Sequence, residues 1–210
     1  MEHHDRRRTL GVLLFRGFEL LDVFGPLEAF GIRLAKDHFD TLLVAERVGP
    51  VESAQGPKAL AEATLDDARR LDLILVPGGF GTREAVDDRG LCGWIARRAA
   101  DAELVMSVCT GAAMLARAGV LDGRRATTNK AAFQWVLGQG PRVEWVKEAR
   151  WVEDGKFYTS SGVSAGIDMA LAVIGKLTSR ELAEQIAVHM EYDWHRDASW
   201  DPFARIHGLV

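Results

Sequence analysis

The sequence predicts an α/β fold: a doubly wound, mostly parallel sheet with helices on both faces and a cysteine at a sharp strand-to-helix turn. Three observations predict it. Short, nearly continuous apolar runs of strand length recur along the 210 residues, as in strands covered on both sides. Segments of helical periodicity separate them, which implies crossovers and a parallel sheet. Glycines or small polar residues follow the carboxyl ends of three of these runs, where open α/β sheets bind their ligands.

TLGVLLF (Thr9 to Phe15) reads as the first strand. After Arg16 and Gly17, FELLDVFGPLEAFGIRLAK reads as helical segments broken near Gly25–Pro26, because proline removes a helix donor. TLLVAE (Thr41 to Glu46) is the second strand, and LDLILVPGGFG (Leu71 to Gly81) is a third that ends in a glycine-rich turn. RGLCGWIARRAA is an amphipathic helix that carries Cys92. ELVMSV (Glu103 to Val108) is the fourth strand, with the helix GAAMLARAGVL directly after it. ARWVEDGKFYTSSG reads as two strands around a turn at Asp154–Gly155. SAGIDMALAVIGKL is a helix with Ser164 as N-cap; SRELAEQIAVHMEYDW is another, capped by Ser179, with Leu182, Ile186 and Met190 on one face. The tail from His195 is aromatic and irregular, with Trp194 and Trp200 free to make a contact or to fold over the chain.

Composition narrows the function. Hydrophobic residues make up 48% and charged residues 27%, and the formal net charge is −4. That balance points to no nucleic acid and no anionic membrane as partner. No apolar run is long enough for a transmembrane helix. The opening MEHHDRRRTL is neither a signal peptide nor a basic arm, and residues 1–8 are expected to be flexible. No repeat or linker interrupts the chain, so residues 1–210 read as a single domain, without room for an appended helix-turn-helix module. Two cysteines, Cys92 and Cys109, do not make a disulfide scaffold, which favours a reducing cytoplasm.

Cys109 is the candidate nucleophile. In SVCTGAAML the strand ends at the thiol, and Gly111, Ala112 and Ala113 allow a helix to begin close to it. A helix N-terminus contributes about 0.3–1 kcal/mol, at most about 2. That lowers a thiol pKa from about 8.5 by roughly one unit. A further partner is therefore expected. Cys92, inside an amphipathic helix, reads as structural. Of the six histidines, His3, His4, His38, His189, His195 and His207, none falls at a strand end near the elbow. HMEYDWH lacks a matching ligand cluster elsewhere, so no metal is expected.

SVCTGAAMLARAGVLDGRRATTN, FELLDVFGPLEAF and VPGGFG together resemble the ThiJ/PfpI superfamily, from about Leu10 to Met190. The resemblance implies the fold of class I glutamine amidotransferases, a flavodoxin-like arrangement. Within the superfamily the chain looks most like the isonitrile (isocyanide) hydratase branch, through Leu13 to Pro26, Ser107 to Gly111, Arg125 to Thr128 and Ser161 to Asp168. By that resemblance Cys109 is the nucleophile, Asp22 its acidic partner and Thr110 the residue after it. The implied reaction adds water to a small-molecule isonitrile through a cysteine thioimidate, giving an N-substituted formamide. No cofactor is implied, and a homodimer is. Where relatives use a histidine after the cysteine, this chain has Thr110. Where some hydratases read ATTHW, it has Asn129, and its turn reads SSGVSAG.

The lack of a nearby histidine turns the search for a proton carrier to a carboxyl. Asp22 lies among Leu20, Leu21, Val23 and Phe24, so burial is expected to raise its pKa and let it donate to a thiolate. Glu19 reads as a first-turn helix carboxylate. Gly78 and Gly79 permit close backbone approach, and the N–H groups of Gly79 and Thr110 are expected to stabilise developing negative charge. Thr110 is alternatively a helix cap. Val163 and Ser164 are expected to line the pocket. Two other functions stay open: another enzyme of the superfamily (glyoxalase, deglycase or amidase), or a non-catalytic thiol-based sensor.

Overall fold

The computed structural model describes residues 6–67 and 69–210. Among the described residues, eleven strands run in chain order. They are β1 (Arg8–Leu13), β2 (Phe39–Ala45), β3 (Gly49–Glu52), β4 (Lys58–Ala61), β5 (Ala63–Thr64), β6 (Leu73–Val76), β7 (Leu104–Ser107), β8 (Arg125–Ala126), β9 (Glu144–Trp145), β10 (Trp151–Asp154) and β11 (Phe157–Ser160). The helices are α1 (Leu20–Gly31), α2 (Thr82–Ala85), α3 (Arg89–Asp101), α4 (Gly111–Arg117), α5 (Phe133–Gln139), α6 (Ala165–Leu177), α7 (Arg180–His189) and α8 (Pro202–Ile206).

One sheet has the order β10-β11-β7-β6-β1-β2-β5, parallel except for β10, which runs antiparallel to β11. Its five central strands, taken in chain order, give the 2-1-3-4-5 sequence of flavodoxin-like sheets. The chain leaves β1 toward β2 and later adds β6, β7 and β11 on the other side of β1. Right-handed crossovers then place α1 on one face and α3 and α4 on the other. The packing agrees: α1 rests on α6 and α6 on α7, whereas α4 rests on α3 and α5. Covered on both faces, β6 (LILV) and β7 (LVMS) are buried at every residue. Among the described residues, no helix is long and apolar enough to cross a membrane.

The structure departs from the sequence expectations in several places. Helix α1 is unbroken, with Pro26 inside it. A proline within a helix costs about 3 kcal/mol, and burial of Val23, Ala29 and Phe30 opposes that cost. At Gly25 an added Cβ would lie 2.8 Å from Ile167 Cγ1, so the glycine lets α1 cross α6 closely. Helix α4 stops short of Leu121, where Gly119 takes a positive φ of 77°. The tail is not wholly irregular: Asp201 accepts the Phe203 N–H at 3.1 Å and opens α8, with Pro202 in its first turn. Ser179 caps α7 as expected, accepting the Leu182 N–H at 3.1 Å. Ser164 occupies the N-cap position of α6 without making a capping bond. At the end of the segment expected to be flexible, β1 begins at Arg8, and Arg6, Arg7 and Arg8 pair with Asp72, Asp40 and Glu103. Residues 1–5, including His3 and His4, lie outside the described residues.

Candidate active site

Strands β1, β6 and β7 are neighbours, so the loops after their carboxyl ends meet at one place in the sheet. The loops are laced by backbone: Glu19 N–H donates to Gly78 O at 2.9 Å, and Gly81 N–H donates to Gly17 O at 3.0 Å. Gly78 sits where all three converge. A Cβ there would lie 2.5 Å from Thr110 N, 2.7 Å from Thr110 Oγ1 and 2.9 Å from Asp22 Oδ2. At Gly79, with φ +117°, a Cβ would lie 2.4 Å from Gly17 O. Only glycines permit this approach.

Cys109 follows β7 with a φ of +56°, a strained value for a residue with a side chain. The backbone around it is pinned: Cys109 N–H donates to Ser161 O at 3.0 Å, and Thr128 Oγ1 donates to Cys109 O at 2.7 Å. Gly111 lets α4 start against β6, since a Cβ there would lie 2.1 Å from Val76 O. This is the geometry of a nucleophile elbow. The thiol, however, is 7% exposed. Burial pushes its pKa up from 9.0 to about 12, and the Asp22 carboxylate adds to the rise. The Thr110 N–H, the Val163 N–H and the Thr110 hydroxyl act on the sulfur in the opposite direction. The lowering expected at the helix N-terminus is present in the Thr110 N–H but is outweighed by desolvation.

Asp22, in the first turn of α1, is fully buried. Its Oδ2 accepts the Gly78 N–H at 2.7 Å. Burial holds its pKa well above the usual carboxylate range, opposed by the Gly78 bond; Glu19 raises it further, and Cys109 lowers it. Its Oδ1 makes no aligned hydrogen bond. The thiol therefore lies within interaction distance of the carboxyl without a well-directed bond to Oδ1. Cys109 and Asp22 are two buried acids in mutual contact, and such a pair titrates as one unit.

Thr110 does not cap α4 with its side chain. Its Oγ1 accepts the Gly79 N–H at 3.1 Å and lies 3.1 Å from Thr82 Oγ1, whose hydroxyl donates to Gly79 O at 2.7 Å. This corrects the expected role of the glycine amides. The Gly78 N–H is held by Asp22 and the Gly79 N–H by Thr110, so neither is a free oxyanion donor. The amides that converge on the sulfur belong to Thr110 and Val163. Val163 was expected as pocket lining; its φ of +37° is a genuine outlier for a β-branched residue, and its N–H is close enough to the thiol to lower its pKa. Ser164 engages Arg150 instead, with Oγ 3.5 Å from Nη2. Asn129 Oδ1 accepts the Ala132 N–H at 3.0 Å, and its Nδ2 abuts Gly162.

Sequence reasoning missed Arg150 and Asp168. Arg150 Nε donates to Asp168 Oδ2 at 2.6 Å in a fully buried pair, and His195 N–H donates to Asp168 Oδ1 at 2.9 Å. A row of backbone bonds runs from the tail to the nucleophile: Arg150 N–H to Ala198 O (2.7 Å), Ser161 N–H to Arg150 O (2.8 Å) and Cys109 N–H to Ser161 O. Trp194 Nε1 donates to Asp168 O at 3.2 Å, and His195 stacks on Trp200 at 4.2 Å, so the tail folds over its own chain.

The profile of the DJ-1/PfpI family matches residues 8–176. The chain is 36% identical over 185 residues to the isonitrile hydratase of Pseudomonas putida, covering 87% of this chain and 78% of that protein. It is 28% identical over 177 residues to the helix-turn-helix transcriptional regulator CdhR of Pseudomonas aeruginosa, covering 83% of this chain but 52% of the regulator. Among solved structures, a ThiJ/PfpI family protein from Pseudomonas syringae aligns with a TM-score of 0.79 and 31% identity, over 90% of this chain and 76% of that one. A DJ-1 superfamily protein from Salmonella typhimurium aligns with a TM-score of 0.76 and 26% identity, over 89% of this chain and all of that one.

Proposed function

The chain belongs to the DJ-1/PfpI family, and from that premise we propose that it is an isonitrile hydratase, a lyase that adds water to an isonitrile to give an N-substituted formamide. The observation that carries this reading is the buried Cys109–Asp22 pair, in which a carboxyl stands where cysteine hydrolases use an imidazole. Cleaving an amide requires a general acid for the departing amine, most often a histidine. An isonitrile has no leaving group and needs only a nucleophile and one recycled proton.

The pair works with one proton between its two members. As the sulfur attacks the terminal isonitrile carbon, Asp22 takes the thiol proton and delivers it to that carbon. C–S and C–H bonds form, and a thioimidate results. Asp22, again a carboxylate, removes a proton from water as its oxygen adds to the same carbon, and passes that proton to nitrogen. The C–S bond then breaks, the new hydroxyl becomes the formamide carbonyl, and its proton returns to sulfur. The Thr110 and Val163 amides stabilise charge on sulfur as it attacks and departs. One water is consumed, and no metal or cofactor enters the balance. A sensor thiol would be acidic and exposed; Cys109 is neither, which favours the enzyme over the sensor. The same reading carries a homodimer acting in the cytoplasm, with residues 1–210 as one domain.

The test is incubation with a simple alkyl or aryl isonitrile, following formamide by absorbance or mass. Turnover is expected in the wild type and its loss in both Cys109→Ala and Asp22→Ala; full turnover in both variants refutes the mechanism. Absence of turnover together with glycolate production from glyoxal assigns the chain to another activity of the family.

A further inference from the structure

Arg83 is a surface guanidinium held in place. Its Cζ lies 3.8 Å from the centroid of the Trp135 ring and 6.0 Å from that of Phe80. Its Nη1 donates to Thr82 Oγ1 at 3.2 Å. Thr82 Oγ1 lies 3.1 Å from Thr110 Oγ1, and the Thr110 hydroxyl is close enough to the Cys109 sulfur to oppose the rise of its pKa. The guanidinium thus contacts Thr82, whose hydroxyl packs against that of Thr110, the residue after the thiol. Among the described residues it makes no ion pair, unlike Arg117, which pairs with Asp87. Beside it Phe80, the residue after Gly79, is 81% exposed. Burial against its neighbours lowers the Arg83 pKa and charge at Cys109 raises it, so the two groups lie within electrostatic reach.

A guanidinium has five donors, and among the described residues one of them here has a hydrogen-bond partner, Thr82. Stacking on Trp135 fixes the plane of the fork, which suits bidentate recognition of a carboxylate. Its electrostatic reach to Cys109 would let it meet the distal end of a substrate whose reactive carbon is at the sulfur. On the basis of the hydratase reading, we propose that Arg83 is a specificity-determining residue that recognises a carboxylate on the substrate, so that isocyano carboxylates are preferred over neutral isonitriles.

Two comparisons test this. The first is the ratio of kcat/KM for isocyanoacetate to that for its methyl ester, in wild type, Arg83→Gln and Arg83→Lys. The ratio is expected to fall about tenfold in Arg83→Gln, the effect of removing one charge contact at partly solvated range. Arg83→Lys, which keeps the charge without the fork, should retain part of it. The second needs no turnover: the ratio of iodoacetate to iodoacetamide alkylation rates at Cys109, read by peptide mass, with Cys92 as internal reference. This ratio is expected to fall in Arg83→Gln at Cys109 and to stay constant at Cys92. Unchanged ratios in both comparisons overturn the role of Arg83 while leaving the hydratase reading intact. A reduced alkylation ratio with no isonitrile turnover supports anion recognition by Arg83 and overturns the hydratase reading.

Discussion

Replacing Asp22 by Asn separates its two influences on Cys109. With the thiol pKa at about 12, roughly one molecule in 10⁴–10⁵ carries a free thiolate near pH 7.5. Useful attack therefore depends on a proton acceptor in contact with the sulfur, and the Asp22 carboxyl has an oxygen, Oδ1, free of other bonds. Asn cannot carry the proton, so turnover should fall by about 10²–10⁴, the usual worth of a positioned acid–base group. The thiol itself should move the other way. Burial is the larger cause of its raised pKa and survives the substitution; the Asp22 charge, the second cause, does not. The pH midpoint for iodoacetamide alkylation of Cys109, followed by peptide mass, should settle below about 12 but remain above 9.0. Stability gives a third readout. A carboxyl whose folded pKa is raised stabilises the fold while protonated, and that contribution is lost as pH rises through the folded value. Asp22→Asn should therefore raise the melting temperature near pH 7.5, by at least about 2 °C, and have little effect below the usual carboxylate range. Turnover within tenfold of wild type, or an alkylation midpoint that moves upward, would falsify the assignment of Asp22 as the proton carrier.

Three further outcomes follow from the same geometry. Gly78→Ala places a Cβ 2.5 Å from Thr110 N and 2.9 Å from Asp22 Oδ2. Displacing these groups by about 1 Å should cost about 10²-fold in kcat, and steady-state formamide production checks it; an unchanged kcat means the contact is not part of the catalytic geometry. Arg150→Met leaves Asp168 buried without its partner. It should cost about 3–5 kcal/mol in urea unfolding, and much of this should return in the double variant with Asp168→Leu. Cys109 makes wild-type stability fall between pH 9.0 and about 12, because its folded pKa is raised and the unfolded thiol ionises first. The difference in unfolding free energy between wild type and Cys109→Ala should slope across that window and be flat below it.

The fold was legible wherever burial on both faces wrote a continuous apolar run, as in β1, β6 and β7. The hairpin β3–β4 was not, because strands of four residues, GPVE and KALA, are too short to write a continuous apolar run or a clear alternation. Proline chemistry misjudged α1, since its packing on α6 outweighs a local preference that the sequence states plainly. At the site, small residues after Cys109 announced the elbow, and apolar neighbours announced the burial of Asp22. The height of the thiol pKa was not readable, because it depends on what covers Cys109 and not on the helix after it. Nor was the Val163 amide, a backbone group at a residue of outlying φ. Arg150 and Asp168, eighteen positions apart, meet because the β10–β11 hairpin returns the chain beside Arg150 just before α6 opens, and no local pattern marks that.

The structure gives a physical reason why Thr110 and Asp22 belong together. The Gly78 backbone lies between them, with room for no side chain of its own. Its amide is fixed by Asp22, and the next amide, of Gly79, is fixed by Thr110. A short hydroxyl at 110 reaches the Gly79 N–H and the Thr82 hydroxyl without leaving this space. An imidazole at the same position has greater volume and a different reach, and would push against Gly78 or abandon the Gly79 amide. Close packing of the three loops thus selects a small residue after the nucleophile and leaves proton transfer to the carboxyl buried beneath it. Keeping that carboxyl and the thiol out of water raises both pKa values; the rise at Asp22 costs folding stability at neutral pH, and the rise at Cys109 costs it only above pH 9.0. The arrangement confines one mobile proton between sulfur and oxygen, the condition under which a thiol can add to a carbon that offers no leaving group.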